Sequence, residues 1–308
     1  MCNSGEVKFN GRSRHGGQRL KCQTCKHTFG WKNRINASMR KKVWFDSWIK
    51  EGYTQKQLSV QSGWSTTTLT RIINRALTIS PPIIPVARAQ HVVFDGTFIY
   101  RRSLGAMVMM DGQKHELIAG RYGIKESFPH LKMFFQELRQ QGCLPQSATI
   151  DGNPWAIQAF RAVWPGIIIQ RCLVHVQRQG LMWCRAKPKR IEAKKLRNLF
   201  LKVVWIKTIK ERDGFLTELA SWEARYGRRI RNSRETGWVL SDLKRARSML
   251  IHALPDMFHY LENQLIPWNT NGLEGYFSRL KHKYRQHRGL APDHRKGYFE
   301  WFFFLCRR

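Results

Sequence analysis

Acidic residues are scarce in this chain. Its 308 residues include 21 Asp and Glu against 54 Lys and Arg, a formal charge of +33 at pH 7, so every carboxylate is conspicuous. Long apolar stretches are missing too. No run reaches the roughly 18 residues that a membrane-spanning helix needs, and no charged-then-apolar leader pattern opens the sequence. Neither membrane insertion nor secretion is expected, and a cytoplasmic, nucleoid-associated placement is. The cysteines Cys2, Cys22, Cys25, Cys143, Cys172, Cys184 and Cys306 make an odd set without disulfide-scaffold spacing, which fits reduced thiols. Internal repeats and low-complexity segments are absent.

Positive charge is abundant, and it is spread along the whole length rather than gathered in one tail. That distribution implies a long phosphate-binding surface whose affinity falls steeply with salt. Alone it would equally suit a ribosomal, chromatin-type or membrane-surface protein. The contexts of three carboxylates set this chain apart from those classes. With 42% hydrophobic residues the chain can bury a sizeable core, and its length suits roughly two domains at about 100–200 residues each.

Residues 1–32 are rich in Gly, Lys and Arg, and Cys22 and Cys25 lie in the knuckle KCQTCKHTF, where paired thiolates can grip Zn²⁺ across a tight turn. Upstream stands only Cys2, in MCNSG. This reads as a zinc-ribbon-like module short of one ligand. The missing partner falls just before Met1 in a shortened reading frame, or His15 or His27 supplies it, or no metal binds. Residues 37–78 follow a helical pattern in SMRKKVWFDSWIKEG, TQKQLSVQSG and WSTTTLTRIINRAL. Gly63 supplies a turn, with Leu58 and Val60 before it and Leu69, Ile72 and Ile73 at helical spacing after it. This is a helix-turn-helix pattern, and its second helix would offer Thr66, Thr67, Thr68, Arg71 and Arg75 to phosphates and base edges. A plain helical hairpin is the alternative.

The segment PPIIP breaks that run, so residues 79–90 read as a linker. Strands are expected at 91–100, 104–112, 115–123, 147–152 and 166–172, with helices at 127–142 and 154–164. Three strands able to form a meander, then alternating helix and strand, describe an α/β, ribonuclease-H-like mixed-sheet domain over 91–308. Residues 176–262 are basic and helical, an all-α insertion. Its Trp205, Trp222 and Trp238 suit either base stacking or ordinary packing.

Asp95, in VVFDGTF, and Asp151, in ATIDGNP, each follow an apolar strand and precede glycine. If the two strands are neighbours, these carboxylates can share a metal. Glu274, in WNTNGLEGYFSRLKHKYRQHRG, sits near the start of a helix that Asn269, Thr270 or Asn271 could cap. Farther along that helix Arg279, Lys281, Lys283 and Arg285 make a cationic face. Singly, a strand-end Asp before Gly often only makes a turn, and a helical Glu is usually solvated. Together, in a chain so poor in acids, they suggest a site for Mg²⁺ or Mn²⁺ acting on nucleic acid.

Asp95 in VVFDGTF, Asp151 in IDGNP, the segment QRCLVHVQR and the terminal TNGLEGYFSRLK…RQHRGLAPDHRKGYFEW together resemble the DDE transposases of bacterial insertion sequences related to the Mutator type. The resemblance spans residues 91–303. It implies that Asp95, Asp151 and Glu274 are the metal-binding triad for two ions, and that 176–262 is the family's helical insertion. Cys172 and His175 match the family's Cys-x-x-His signature. Two ligands fall short of zinc's usual three or four, so a structural or orienting role is expected for this pair, with Arg171 and Arg178 beside it available to phosphates.

The expected function is cleavage at insertion-sequence ends and strand transfer into target DNA. The N-terminal region would recognise terminal inverted repeats, and a homodimer or larger assembly would pair the ends. Two rivals stand. One is a ribonuclease-H-like nuclease or resolvase that cuts without joining. The other is a non-catalytic DNA-binding relic of a transposase.

Overall fold

The computed structural model describes residues 2, 4–14, 16–30, 34–86, 88–101, 104–235, 237–287 and 289–308. The chain divides into two compact units, Met1–Trp48 with Tyr53–Ile73, and Ile49–Gly52 with Asn74–Arg308.

The first unit begins with an antiparallel sheet of β1 (Val7–Arg12), β2 (Gln18–Cys22) and β3 (Thr28–Gly30), in that order. Only Leu20 and Cys22 of these strands are buried. Three helices follow, α1 (Arg34–Glu51), α2 (Gln55–Ser62) and α3 (Thr66–Leu77). The ends of α2 are chemically fixed. The Thr54 hydroxyl accepts from the Gln57 amide at 3.3 Å while the Gln57 side chain accepts from the Thr54 N–H at 2.8 Å, a reciprocal capping box. At the other end Gly63 takes a left-handed φ of 70° and returns its N–H to Ser59, a conformation that a Cβ would penalise. Thr70 then donates to Gln55 at 2.9 Å, tying α3 to α2. Leu58, Leu69 and Ile73 are buried, but Val60 is 81% exposed. Two residues along a helix of 3.6 per turn, Val60 points nearly opposite to Leu58.

The second unit is built on a five-stranded sheet. Its strands are β4 (His91–Arg101), β5 (Leu104–Asp111), β6 (Leu117–Ile124), β7 (Ser147–Ile150) and β8 (Ile168–Arg171), in the order β6-β5-β4-β7-β8. The first three form an antiparallel meander. Parallel neighbours need crossovers, and α4 (Phe128–Gln140) and α5 (Pro154–Val163) supply them. β4 thereby pairs in parallel with β7, and β7 with β8. In α4, Leu131, Phe134, Phe135 and Leu138 recur at helical spacing and are buried. Phe135 meets Phe94 edge-on at 5.0 Å and Phe160 at 4.2 Å, so strand and both helices share one aromatic core.

Helices dominate the rest. After β8 come α6 (Leu173–Cys184), α7 (Ile191–Lys202), α8 (Ile209–Trp222), α9 (Arg228–Asn232), α10 (Trp238–Ala253) and α11 (His259–Glu262). They enclose a second core around Leu196, Phe200, Leu219, Leu243 and Leu250. α6 and α7 approach closely because Gly180 has no side chain: a Cβ there would lie 2.3 Å from the Phe200 ring. The chain then returns to the sheet. α12 (Asn271–Tyr284) lies against β4 and α13 (Pro292–Leu305) against β6, where Phe299 stacks on Tyr122 at 4.1 Å.

Truncating Phe135 to alanine is expected to cost about 3–5 kcal/mol, whereas Val60→Ala should stay within about 0.5 kcal/mol. Chemical denaturation of the two variants checks both the aromatic core and the outward orientation of Val60.

Candidate functional site

The site grows from strand register. In the parallel pairing of β4 with β7, Phe94 stands opposite Ile150, so the next residues, Asp95 and Asp151, emerge side by side. Beyond that point the strands differ. β4 continues against β5, with Asp95 opposite Val108, while β7 ends and Asp151 opens a turn. Asp95 Oδ1 accepts from the Gly96 N–H at 2.7 Å. Asp151 Oδ1 accepts from the Asn153 N–H at 2.9 Å, and Asn153 Oδ1 in turn caps α5, accepting from Trp155 and Ala156. Burial, then the neighbouring Asp151, push the Asp95 carboxyl up to about 7, with a further contribution from Glu126 and opposition from His175.

Gly152 makes this turn possible. Its φ is 102°, and a Cβ would lie 1.9 Å from the Arg171 guanidinium. Arg171 therefore packs directly beneath the turn and donates to the Asp151 carbonyl at 3.2 Å. At 9% exposure it is a buried brace of the turn.

Glu274 arrives from α12. Thr270 is the N-cap residue of that helix but makes no side-chain cap. Its hydroxyl points instead to Cys172 Sγ at 3.5 Å and His175 Nδ1 at 3.4 Å, and the Leu173 N–H donates to the Trp268 carbonyl at 3.0 Å. The Cys-x-x-His pair is thus the seat of α12. One turn on, Glu274 Oε1 is 3.0 Å from Arg178 Nη1 and 3.9 Å from His175 Nε2. The hydrogen bond that His175 donates to Cys172, and then the negative charges of Cys172, Asp95 and Asp151, raise the His175 imidazole to about 9, although burial opposes this. Burial would raise the Cys172 thiol, yet its bonds to His175 and Thr270 bring it below its ordinary value. Each shift favours the charged form of its group.

Glu274 is linked to the aspartates through His175, which lies 3.9 Å from Glu274 and feels the charges of Asp95 and Asp151; among the described residues only Cys2, Cys22 and Cys25 group within 4.8 Å of one another. A feature not foreseen from sequence is Glu126, half-buried between β6 and α4. Burial, then Asp151, push its carboxyl up to about 7, while a hydrogen bond from the Asn153 side chain acts in the opposite sense. Among the described ion pairs, none involves Asp95, Glu126 or Asp151, in a chain with 54 Lys and Arg. Hard oxygen donors outside every described ion pair are of the kind that a divalent metal such as Mg²⁺ takes.

The remaining expected residues are dispersed. On α3, Thr66, Thr67, Arg71 and Arg75 are exposed, and Thr68 is partly covered and bonded to Ser65. On α12 and just beyond it, Arg279 and Arg285 are exposed and Lys281 is half-buried. The Lys283 ammonium donates to the Lys50 carbonyl. Trp205 and Trp238 are 74% and 77% exposed, whereas Trp222 is a packing residue, buried with Nε1 donating to Glu192.

At the start of the chain, Cys22 ends β2 and Cys25 lies in the turn to β3. Cys2 Sγ is 3.5 Å from Cys22 Sγ. Cys22 is brought down to about 7, chiefly by the hydrogen bond from the Cys25 backbone. Three sulfurs within 4.8 Å suit Zn²⁺. Of the two candidate fourth ligands, His15 lies outside the described residues, and His27 stacks on Phe29 rather than joining the sulfurs.

A family model described as Transposase, Mutator family, matches residues 60–288. The chain belongs to the Mutator family of transposases. The match takes in both aspartates, the Cys-x-x-His pair, Glu274 and the whole run of helices between them. No curated protein matches the chain. Among the described residues, no helix is long and apolar enough to cross a membrane.

The raised Asp95 gives a pH dependence of known sign. A carboxyl whose folded value lies above its ordinary one contributes stability below the ordinary range, and that contribution is lost as pH rises through about 7. The melting temperature in chelator is therefore expected to fall from about pH 4 to about pH 7, with Glu126 acting in the same sense, and Asp95→Asn should remove part of that fall. Melting curves across this range check it; an equally steep fall in the variant would contradict the assignment.

Proposed function

We propose that this transposase cuts the ends of its element and joins them to target DNA by a DDE mechanism, with Asp95, Asp151 and Glu274 as ligands for two Mg²⁺ or Mn²⁺ ions on a ribonuclease-H-like sheet. The observation that carries this reading is the Phe94–Ile150 register, which delivers two unpaired carboxylates to one point at the end of a central parallel strand pair. Metals of this kind supply activation of the attacking oxygen and stabilisation of the leaving one. The chain's own residues do the positioning. Gly152 and Arg171 hold the Asp151 turn, and Thr270 on the Cys172–His175 pair seats α12 so that Glu274 faces the aspartates. The His175 imidazolium and Arg178 offer positive charge where a phosphate would lie. Attack by water would free a 3′-hydroxyl at the element end, and attack by that hydroxyl on target phosphate would complete joining, without a covalent protein–DNA link.

In this reading residues 37–78 form a helix-turn-helix that binds the terminal inverted repeats, with Arg71 and Arg75 on its exposed second helix, and residues 79–90 link it to the catalytic domain. The run of helices over 176–262 is the family's insertion. A homodimer or larger assembly brings two ends together. Cys2, Cys22 and Cys25 hold a zinc ion that shapes the small N-terminal sheet, whose own buried apolar content is too slight to order it alone.

Two experiments test these points. Labelled duplexes bearing the element ends, with a supercoiled target and Mg²⁺ or Mn²⁺, are expected to give joined products with the wild type and none with Asp151→Ala. Cleavage without joining would favour a nuclease, and salt-sensitive binding with neither step would favour a DNA-binding relic. Elemental analysis of the purified chain should find about one zinc per chain, lost in Cys22→Ser together with much of the affinity for the element ends.

A further inference from the structure

A recess lies on the side of α12 turned away from Glu274. Tyr276, Arg279 and Lys283 stand three and then four residues apart, so they share one face of that helix. Glu274, two residues before Tyr276, points nearly opposite, toward His175 and Arg178. The recess measures about 520 Å³ and is lined also by the end of α13 and by Cys306, Arg307 and Arg308 after it. All of its lining belongs to the second unit.

Two independent observations point to a ligand there. The first is a stranded hydroxyl. Tyr276 is 1% exposed, its ring meets Phe302 edge-on at 5.9 Å, and its Oη is closed to solvent without a hydrogen-bond partner. A buried donor left unpaired costs free energy. Burial isolates the hydroxyl, and the side chains whose charges reach it most strongly, Cys306, Arg279 and Arg307, all line the recess. The second observation is uncompensated charge. Five cations line the recess against two carboxylates, Glu51 and Glu116, and Glu116 is paired with Arg308. Arg279, Lys283 and Arg307 join none of the described ion pairs. Lys283 and Arg307 donate to the Lys50 and Leu117 carbonyls, which leaves their charge in place. The Arg279 guanidinium rests 5.7 Å from the centre of the Tyr276 ring. Cations gathered in this way repel one another until an anion enters.

Resting on the family's action on DNA, we propose that this recess is a phosphate site for the DNA backbone, in which one phosphodiester group accepts hydrogen bonds from the Tyr276 hydroxyl and the Arg279 guanidinium while Lys283 and Arg307 balance its charge. The donors suit that ligand: a phenol offers one directed O–H, and a guanidinium offers a planar fork that matches phosphate oxygens. Arg279 is exposed, and its turning from the ring to a phosphate opens the hydroxyl to a second oxygen of the same group. The site lies about 10–12 Å from the Glu274 face, one helix diameter. A duplex held there by its backbone is anchored beside the metal site without entering it.

The test is binding of the full chain to fluorescently labelled duplex DNA, followed by anisotropy over a range of salt, in chelator so that the metal site takes no part. The variants are Tyr276→Phe, Arg279→Gln and the two combined. Tyr276→Phe removes only the stranded oxygen, so the melting temperature should hold or rise while DNA affinity falls about tenfold. Arg279→Gln should weaken binding and lower the slope of log affinity against log salt by about one. The combined loss should be smaller than the two single losses multiplied together, because both groups serve one phosphate. Wild-type DNA affinity in a folded Tyr276→Phe would overturn the site. A second arm titrates inorganic phosphate by calorimetry. Phosphate binding lost in Tyr276→Phe with DNA affinity unchanged would assign the recess to a small phosphate ligand and overturn its role in holding DNA. A wild type that bound no duplex at all would instead remove the DNA-binding reading on which the proposal rests.

Discussion

Everything at this site depends on one backbone pairing. Because β4 and β7 run in parallel with Phe94 opposite Ile150, two aspartates are brought into adjacency where β7 ends, and like charges there repel. Folding tolerates that repulsion because the strands are anchored below it. Phe94 and Ile150 are buried in a core shared with Phe135 and Phe160, and apolar burial there outweighs a penalty confined to two side chains. Arg171 adds a guanidinium beneath the turn, close enough to ease the charge of Asp151 but bonded to the carbonyl rather than the carboxylate. The carboxylates are held in place and left unneutralised, the condition a metal-binding site requires.

The third acid is handled differently. Asp95 and Asp151 are fixed by the sheet, whereas Glu274 depends on how α12 docks. Thr270 could have capped that helix in the usual way. It gives up the cap and bonds the Cys172–His175 pair instead, so local helix stability is exchanged for a tertiary anchor. That exchange gives a physical meaning to the Cys-x-x-His spacing. Cys172 is the N-cap residue of α6 and His175 lies in the first turn, so thiol and imidazole meet within one turn and present a single docking surface to Thr270.

Much of this was legible in the sequence, and the limits of the reading are physical. Apolar runs bounded by Gly and Pro marked the strands to within a few residues: 115–123 was expected where β6 spans Leu117–Ile124. The adjacency of Asp95 and Asp151 followed once a mixed sheet was assumed. Features set by tertiary neighbours were not legible. Val60 and Leu58 are equally apolar, and only the direction of α2 exposes one and buries the other. Arg171 and Arg178 look alike in QRCLVHVQR, yet a strand end buries the first and a helix face exposes the second. Glu126, just before the Ser127 that starts α4, resembles an ordinary helix-terminus acid, and nothing local reveals that Gly96, thirty residues earlier (126 − 96), leaves space for it.

The charge balance explains why the site is arranged as it is. A chain with a formal charge of +33 binds polyanions wherever cations are exposed, and any cation allowed against the aspartates would compete with a metal for them. Among the described ion pairs none joins lysine or arginine to the Asp95, Glu126 or Asp151 carboxylate, Arg171 bonding the Asp151 carbonyl instead, whereas Arg178 pairs with Glu274. That pair is solvent-facing, with the arginine side chain 62% and the glutamate 37% exposed. Exposed pairs of this kind contribute only about 0.2–1 kcal/mol, little against the attraction of a divalent ion for a carboxylate or of a phosphate for a guanidinium. In the proposed mechanism Glu274 would leave Arg178 for a metal while Arg178 turned to the DNA backbone. A single weak contact would then be given up for two stronger ones, which would couple metal binding to substrate binding through groups already in place.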